Sequence, residues 1–254
     1  MKEEPFIGGN MNDATRVGDT VRRRAGPWTP AVHALLRFLE RARFEAPHAR
    51  GVDEKGREVL AYIEGDVHPG WPDSIPDWVM DDAHLAEGAR LLRRYHDLVE
   101  VFEPPAGARW RLVAPTAAEI ICHNDWAPWN ALFRRGHLAV MLDWDMAGPG
   151  TRLWDVANSA YSWVPLYSGR RQLGINEQAR GLRLFCDAYG LSDRGTLLDV
   201  LKMRTLFVAE FIDEQARLGD KGATKLANWG VPARMKREAA YQDEHRAVLE
   251  RALA

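Results

Sequence analysis

Cysteine is nearly absent, with only Cys122 and Cys186 in 254 residues. That excludes a disulfide framework and a cysteine-rich zinc site. Cys122, beside His123, reads either as a nucleophile or as a small side chain closing an apolar run. No apolar run approaches the ~20 residues of a membrane-spanning helix. The opening MKEEPFIGG lacks the apolar core of a signal peptide, so a cytoplasmic protein without membrane contact is expected. A formal charge of −2 removes any global electrostatic case for nucleic acid. Repeats and low-complexity tracts are missing as well. Tryptophan, by contrast, is plentiful at ten residues, and 254 residues can bury a substantial core as one large domain or two lobes.

The informative stretch is 120–157, IICHNDWAPWNALFRRGHLAVMLDWDMAGPGTRLWDVA. Two apolar runs end in polar residues: the first in His123, Asn124 and Asp125, the second in Asp143, Trp144 and Asp145. Such placement puts carboxylates at the rim of a sheet. Phosphoryl transfer needs a carboxylate to orient the attacking hydroxyl and oxygen ligands for the metal that neutralises the phosphates. Asp125 and Asn130 lie five residues apart, so one loop can supply both base and metal ligand. Asp143, ending the next strand, can supply a second ligand. Arg134, Arg135, Gly136 and His137 form the turn that brings Asn130 and Asp143 back together.

Around this stretch the chain reads β-β-α-β-β over roughly its first 65 residues, with turns at Gly8-Gly9 and Gly18-Asp19. Gly8 and Gly9 suit either a phosphate-cradling loop or a plain tight turn. Apolar residues Ala31, Leu35, Leu36, Leu39 and Ala42 recur at helical spacing after an expected Thr29 cap. A proline-rich segment over 68–78 cannot be regular structure, and helices are expected near 81–102, 155–164, 177–189, 195–218 and 232–253.

His123-x-Asp125-x4-Asn130, followed by Leu142-Asp143-Trp144-Asp145 and by Leu153-Trp154-Asp155-Val156-Ala157, resembles the aminoglycoside phosphotransferase family. The resemblance implies an α+β, two-lobed, protein-kinase-like fold. A small β-rich N-terminal lobe over 1–65, with a hinge near 60–65, would hold the nucleotide. A larger, mostly helical lobe over 66–254 would carry the catalytic loop and substrate pocket. It further implies Mg2+ and ATP or GTP as co-substrate, Asp125 as catalytic base, and Asn130 and Asp143 as metal ligands. Asp145 becomes a water-mediated ligand or a turn cap, and His123 and Asp155 become braces, Asp155 alternatively an N-cap. Ala61, Tyr62 and Ile63 would contact the base edge.

Three features depart from that family, one of them a short first glycine-rich hairpin that would enclose the nucleotide less. No lysine occurs between Lys2 and Lys55, so the cation that grips the phosphates falls to Arg23, or to its neighbour Arg22. Strand alternation allows only one of them into the cleft, and Arg23 is favoured. Arginine can hold two phosphate oxygens at once. The following helix should also offer a glutamate to steady this cation; the inward candidates are His33 and Glu40, and Glu40 lies late in the helix.

The acceptor is expected to be a small-molecule hydroxyl, on an aminoglycoside or other antibiotic, a choline-like amino alcohol or a sugar. Trp126 and Trp129, in the catalytic loop, read either as exposed pocket walls or as core. Glu210, Asp213 and Glu214 read either as a cation-binding patch or as a solvated helix face. A monomer or homodimer is expected. Two other classes compete: a non-catalytic kinase-like regulatory module, and a metal-dependent phosphoesterase with His123, Asp125, Asp143 and Asp145 as ligands.

Overall fold

The computed structural model describes residues 3–5, 14–68, 75–168 and 173–254. By backbone contacts the chain forms two compact units, Met1–Ile75 with Arg94–Asp155, and Pro76–Arg93 with Val156–Ala254. Among the described residues no helix is long and apolar enough to cross a membrane.

The first unit begins with strands β1 (Glu4–Pro5), β2 (Thr15–Val17) and β3 (Thr20–Arg24). Helix α1 (Thr29–Arg41) follows, then β4 (Ala49–Val52) and β5 (Arg57–Ala61). These strands make one five-stranded sheet in the order β1-β2-β3-β5-β4, which adds the short edge strand β1 to the expected β-β-α-β-β. Helix α1 forms because Ala31, Val32, Leu35, Leu36 and Leu39 share one face, and all five are buried. Each large aliphatic side chain so removed from water stabilises the fold by about 1.5–3 kcal/mol. The helix starts one residue earlier than expected. Trp28 stands at its N-cap, and the Thr29 hydroxyl instead accepts from the Gly26 amide at 2.9 Å.

Further along come β6 (Asp66–Val67), α2 (Asp82–Val99) and β7 (Ile120–Cys122). The hairpin β8 (Ala131–Arg134) and β9 (His137–Met141) pairs Ala131 with Met141, and β6 joins its free edge. Strand β10 (Gly148–Gly150) pairs antiparallel with β7. That pairing brings the chain so close to Leu112 that a Cβ at Gly148 would lie 1.9 Å from the Leu112 carbonyl oxygen, so only glycine fits.

The second unit is helical. It contains the first part of α2, most of α3 (Arg152–Trp163), and α4 (Ile175–Tyr189), α5 (Leu197–Arg217), α6 (Lys221–Asn228), α7 (Val231–Glu244) and α8 (Arg246–Leu253). Ala209 and Ile212 of α5 pack with Val231 and Met235 of α7 to form one of its cores. The expected helix over 232–253 is two helices meeting at His245, and α6 had no counterpart among the expected elements. The whole is mixed α/β, with a small sheet-bearing N-terminal part and a helical C-terminal part.

Candidate active site

The polar residues of β7, of the loop after it and of the segment after β9 come together within the first unit. Asn130 closes a 3-10 turn, Pro128–Asn130. Its side-chain amide donates to the Asp125 carbonyl at 2.7 Å and to Asp125 Oδ2 at 2.8 Å. The Leu142 amide donates to the Asn130 carbonyl at 2.8 Å, which sets Asn130 beside the segment that carries Asp143. Asp125 is only partly buried, so its carboxylate remains approachable.

Behind these lies a brace. Asp155, fully buried in the first turn of α3, accepts from the amides of His123 at 2.6 Å and Asn124 at 2.8 Å. His96 Nε2 lies 3.1 Å from the same carboxylate. Burial alone would push the Asp155 carboxyl up, but the His96 bond, the His96 and His123 rings and the His123 amide hold it below the usual aspartate range. Asp155 is therefore not the helix N-cap, since Thr151 precedes it and accepts from the Trp154 amide at 3.1 Å. Asn124 adopts a left-handed backbone, φ 65°, which costs about 1–3 kcal/mol for a side-chain-bearing residue. Its side chain offsets this by donating to the Met146 carbonyl at 3.0 Å and accepting from the Trp154 indole at 3.0 Å.

His123 is fully buried, its ring 4.6 Å from that of Trp144. Its Nδ1 accepts from the Asp125 amide at 3.2 Å, so its Nε2 carries the proton donated to the Leu142 carbonyl at 2.9 Å. Burial lowers its pKa, against the pull of Asp155. With both nitrogens engaged, His123 is not placed to bind metal.

A second cluster surrounds Arg23, which is 7% exposed while Arg22 is half-buried. Arg23 Nε donates to Glu58, and Nη1 donates to Asp143 Oδ1 at 2.8 Å. Nη2 forms an ion pair with Asp145 Oδ1 at 2.7 Å. Burial opposes the arginine's charge, but Asp145, Glu58 and Asp143 together raise its pKa. Burial pushes Asp145 up to about 6 against the pull of Arg23, with Asp143 and Glu58 adding to the rise. Asp143 also has a left-handed backbone, φ 58°, at the turn that exposes its side chain.

Glu58 is the carboxylate that the sequence reading did not find. It sits directly opposite Arg23 in the β3–β5 pairing, and it accepts from His33 Nε2 at 2.9 Å. The signal was available, because opposed residues on neighbouring antiparallel strands share a face. His33 thus acts on Arg23 through Glu58, and Glu40 pairs instead with His48 at 3.1 Å. Arg111 is a second missed cation, 3.7 Å from Asp145.

The remaining expected residues are placed as follows. Gly8 and Gly9 lie outside the described residues. The amides of Ala61 and Tyr62 donate to the carbonyls of His48 and Asp19, at 2.9 and 2.8 Å, so neither amide is available to a base edge. Trp126 is fully buried, which removes it as a pocket wall, while Trp129 is half-buried. Trp144, Trp154 and Trp163 are also core residues, and Trp229 is 56% exposed. Glu210 and Glu214 are exposed on α5 of the helical unit, with Asp213 between them half-buried. Cys122 is fully buried and donates to the Thr151 carbonyl at 3.3 Å. Burial pushes the Cys186 thiol up to about 12, so neither cysteine is a nucleophile.

The family model described as "Phosphotransferase enzyme family" (APH) matches residues 14–196. The chain belongs to that family. As a member of the APH family it is a phosphotransferase. It is 35% identical to the trifolitoxin immunity protein of Rhizobium leguminosarum bv. trifolii, over 98% of both chains. A choline/ethanolamine kinase family protein from Mesorhizobium loti shares its fold, with TM-score 0.60, 18% identity, and 98% and 93% of the two chains covered. So does an amicoumacin kinase solved with AMP-PNP and Ca2+, with TM-score 0.66, 10% identity, and 94% and 87% covered.

Proposed function

We propose that this APH-family kinase moves the γ-phosphoryl group of ATP or GTP to a hydroxyl of a toxin or antibiotic. Asp125 takes the hydroxyl proton as the oxygen attacks phosphorus, and the nucleoside diphosphate leaves. The observation that carries this reading is Asn130 bonded to the half-exposed Asp125 in the same unit that holds Arg23 against Asp143. The 35% identical relative is an immunity protein, which supports a toxin as acceptor and a protective role. Residues 1–65 serve the nucleotide. Within the hinge the base-edge donor narrows to Ile63, because the Ala61 and Tyr62 amides are already bonded.

The donor set fits Mg2+. Asp143 and Asn130 are hard oxygen ligands of the kind that cation takes, with water and phosphate completing its shell. They would hold it, and it would neutralise the phosphates when bound. Arg23 would hold the phosphates through its planar fork. Asn130 keeps Asp125 turned toward the acceptor, and Asp155 keeps the loop rigid while the proton moves. Trp129 is the acceptor-facing candidate in the first unit, Glu210, Asp213 and Glu214 stay candidates for a cationic group on the helical unit by itself, and the nucleotide requirement fits a cytoplasmic protein.

The reasons for doubting catalysis weaken, since Glu58 supplies the carboxylate that α1 does not bring to Arg23, Glu40 being paired with His48. The phosphoesterase reading fares worse. Among the described residues no group of three or more histidine, cysteine, aspartate or glutamate side chains could hold a metal.

The test is Asp125→Asn, assayed against a panel of aminoglycosides, peptide antibiotics, amino alcohols and sugars. Turnover of the accepted substrate should fall about 10²–10⁴-fold while Mg–nucleotide affinity is kept. Full activity in that variant would remove Asp125 from the mechanism.

A further inference from the structure

We propose that Arg111 is a second phosphate-gripping cation of the nucleotide site, held beside Arg23 by Asp145 and by the ring of Trp28. This rests on the reading of Arg23 given above. One carboxylate stands between two guanidinium groups: Asp145 Oδ1 is 2.7 Å from Arg23 Nη2, and Oδ2 is 3.7 Å from Arg111 Nη1. The longer contact exceeds hydrogen-bond reach and acts as a charge attraction. The guanidinium of Arg111 also lies over the Trp28 ring, 4.6 Å from its centroid.

Both supports are built into the fold. The Trp28 ring packs on Gly26 so closely that a Cβ there would come within 2.4 Å of it, and Gly26 lies two residues past β3, which carries Arg23. The loop bearing Arg111 is pinned to β10 by the Ala114 amide donating to the Pro149 carbonyl at 3.0 Å, and by the contact of Leu112 with Gly148. Strand β10 itself lies just beyond Asp145. Arg111 is therefore brought to the cluster from one side and Arg23 from the other.

The charges explain why a second cation belongs there. Glu58, Asp143 and Asp145 carry three negative charges against the two positive charges of Arg23 and Arg111, a formal total of −1. With Arg23 alone the total would be −2, set against a polyphosphate that is itself strongly anionic. The side chain of Arg111 is only 7% exposed. Holding a charge in so little water is costly unless anions face it, and a bound phosphate chain would add to what Asp145 provides. Asp145 then acts as a bridge that positions the two arginines.

Calorimetry would measure binding of ATP, GTP, adenosine and guanosine to wild type, Arg111→Gln and Arg111→Lys, with Mg2+ and with EDTA. Thermal unfolding would establish that each variant is folded. Arg111→Gln should weaken the triphosphate about tenfold, with or without metal, and leave the matching nucleoside unchanged. Arg111→Lys should lose about threefold on the triphosphate only, because it keeps the charge and loses the flat fork. It carries the test should Arg111→Gln not fold. Equal losses for nucleoside and triphosphate, or none for either, would overturn the proposal and leave a packing role. Wild type that binds neither triphosphate would overturn the nucleotide site itself, and this inference with it.

Discussion

Asp155 and Asp143 are both aspartates that meet basic side chains in the same unit, but they are held in different ways. Asp155 is gripped by two backbone amides and a buried histidine, all of which stay where the chain puts them. Asp143 and Asp145 are gripped by the tips of arginine side chains, which can be exchanged for other ligands. A brace has to be satisfied by donors that cannot leave, whereas carboxylates paired with side-chain tips can change partners. Burial separates Asp155, fully enclosed, from Asp143, whose side chain is 38% exposed, although Asp145 is itself buried.

The largest expected effect tests the fixed half of this contrast. Asp155→Ala leaves two buried amides without an acceptor, at about 1–3 kcal/mol each, a large part of the ~5–15 kcal/mol that holds a typical domain. Denaturant unfolding should show a loss of several kcal/mol, and a loss below about 1 kcal/mol would mean that Asp155 is no brace. Glu58→Gln probes the exchangeable half. Arg23 keeps Asp143 and Asp145 in that variant, so stability should fall by only about 2 kcal/mol. The nucleotide KM should rise several-fold with the acceptor KM unmoved. A stability loss as large as that of Asp155→Ala would erase the distinction between brace and cluster.

The smallest effect is on pH dependence. The folded pKa of His123 lies below its unfolded value of about 6.5, so the unfolded chain takes up the proton first as pH falls. The stabilisation is whole above about pH 6.5 and is lost as pH drops toward the folded value, with a slope of at most ~1.4 kcal/mol per pH unit from this one ring. The difference between wild type and His123→Gln, followed by chemical unfolding from pH 7.5 to 5, should show that slope. Parallel curves would place His123 in a less buried setting.

Much of the site could be read from the chain because its parts are close in sequence. Asp125 and Asn130 share one loop, and the hairpin that returns to Asp143 has a turn made of Arg134, Arg135, Gly136 and His137. Helices with one apolar face, such as α1, could be read for the same reason. Trp126 and Trp129 could not be told apart, because burial at adjacent loop positions depends on what packs over them. Glu58 was hidden by the expectation of a glutamate on the helix, although its place opposite Arg23 follows from pairing β3 with β5.

The sequence by itself determined the family and the order of the acidic stretch, and it named Arg23 as the candidate strand cation. These depend on local spacing and side-chain chemistry. Only the tertiary structure decided which carboxylates answer that cation. Arg23 meets Glu58 across 35 residues and Asp143 across 120, and it shares Asp145 with Arg111 from a loop with no motif of its own. Contacts at that separation are set by strand pairing and close backbone approach, as at Gly148, and nothing local in the chain encodes them.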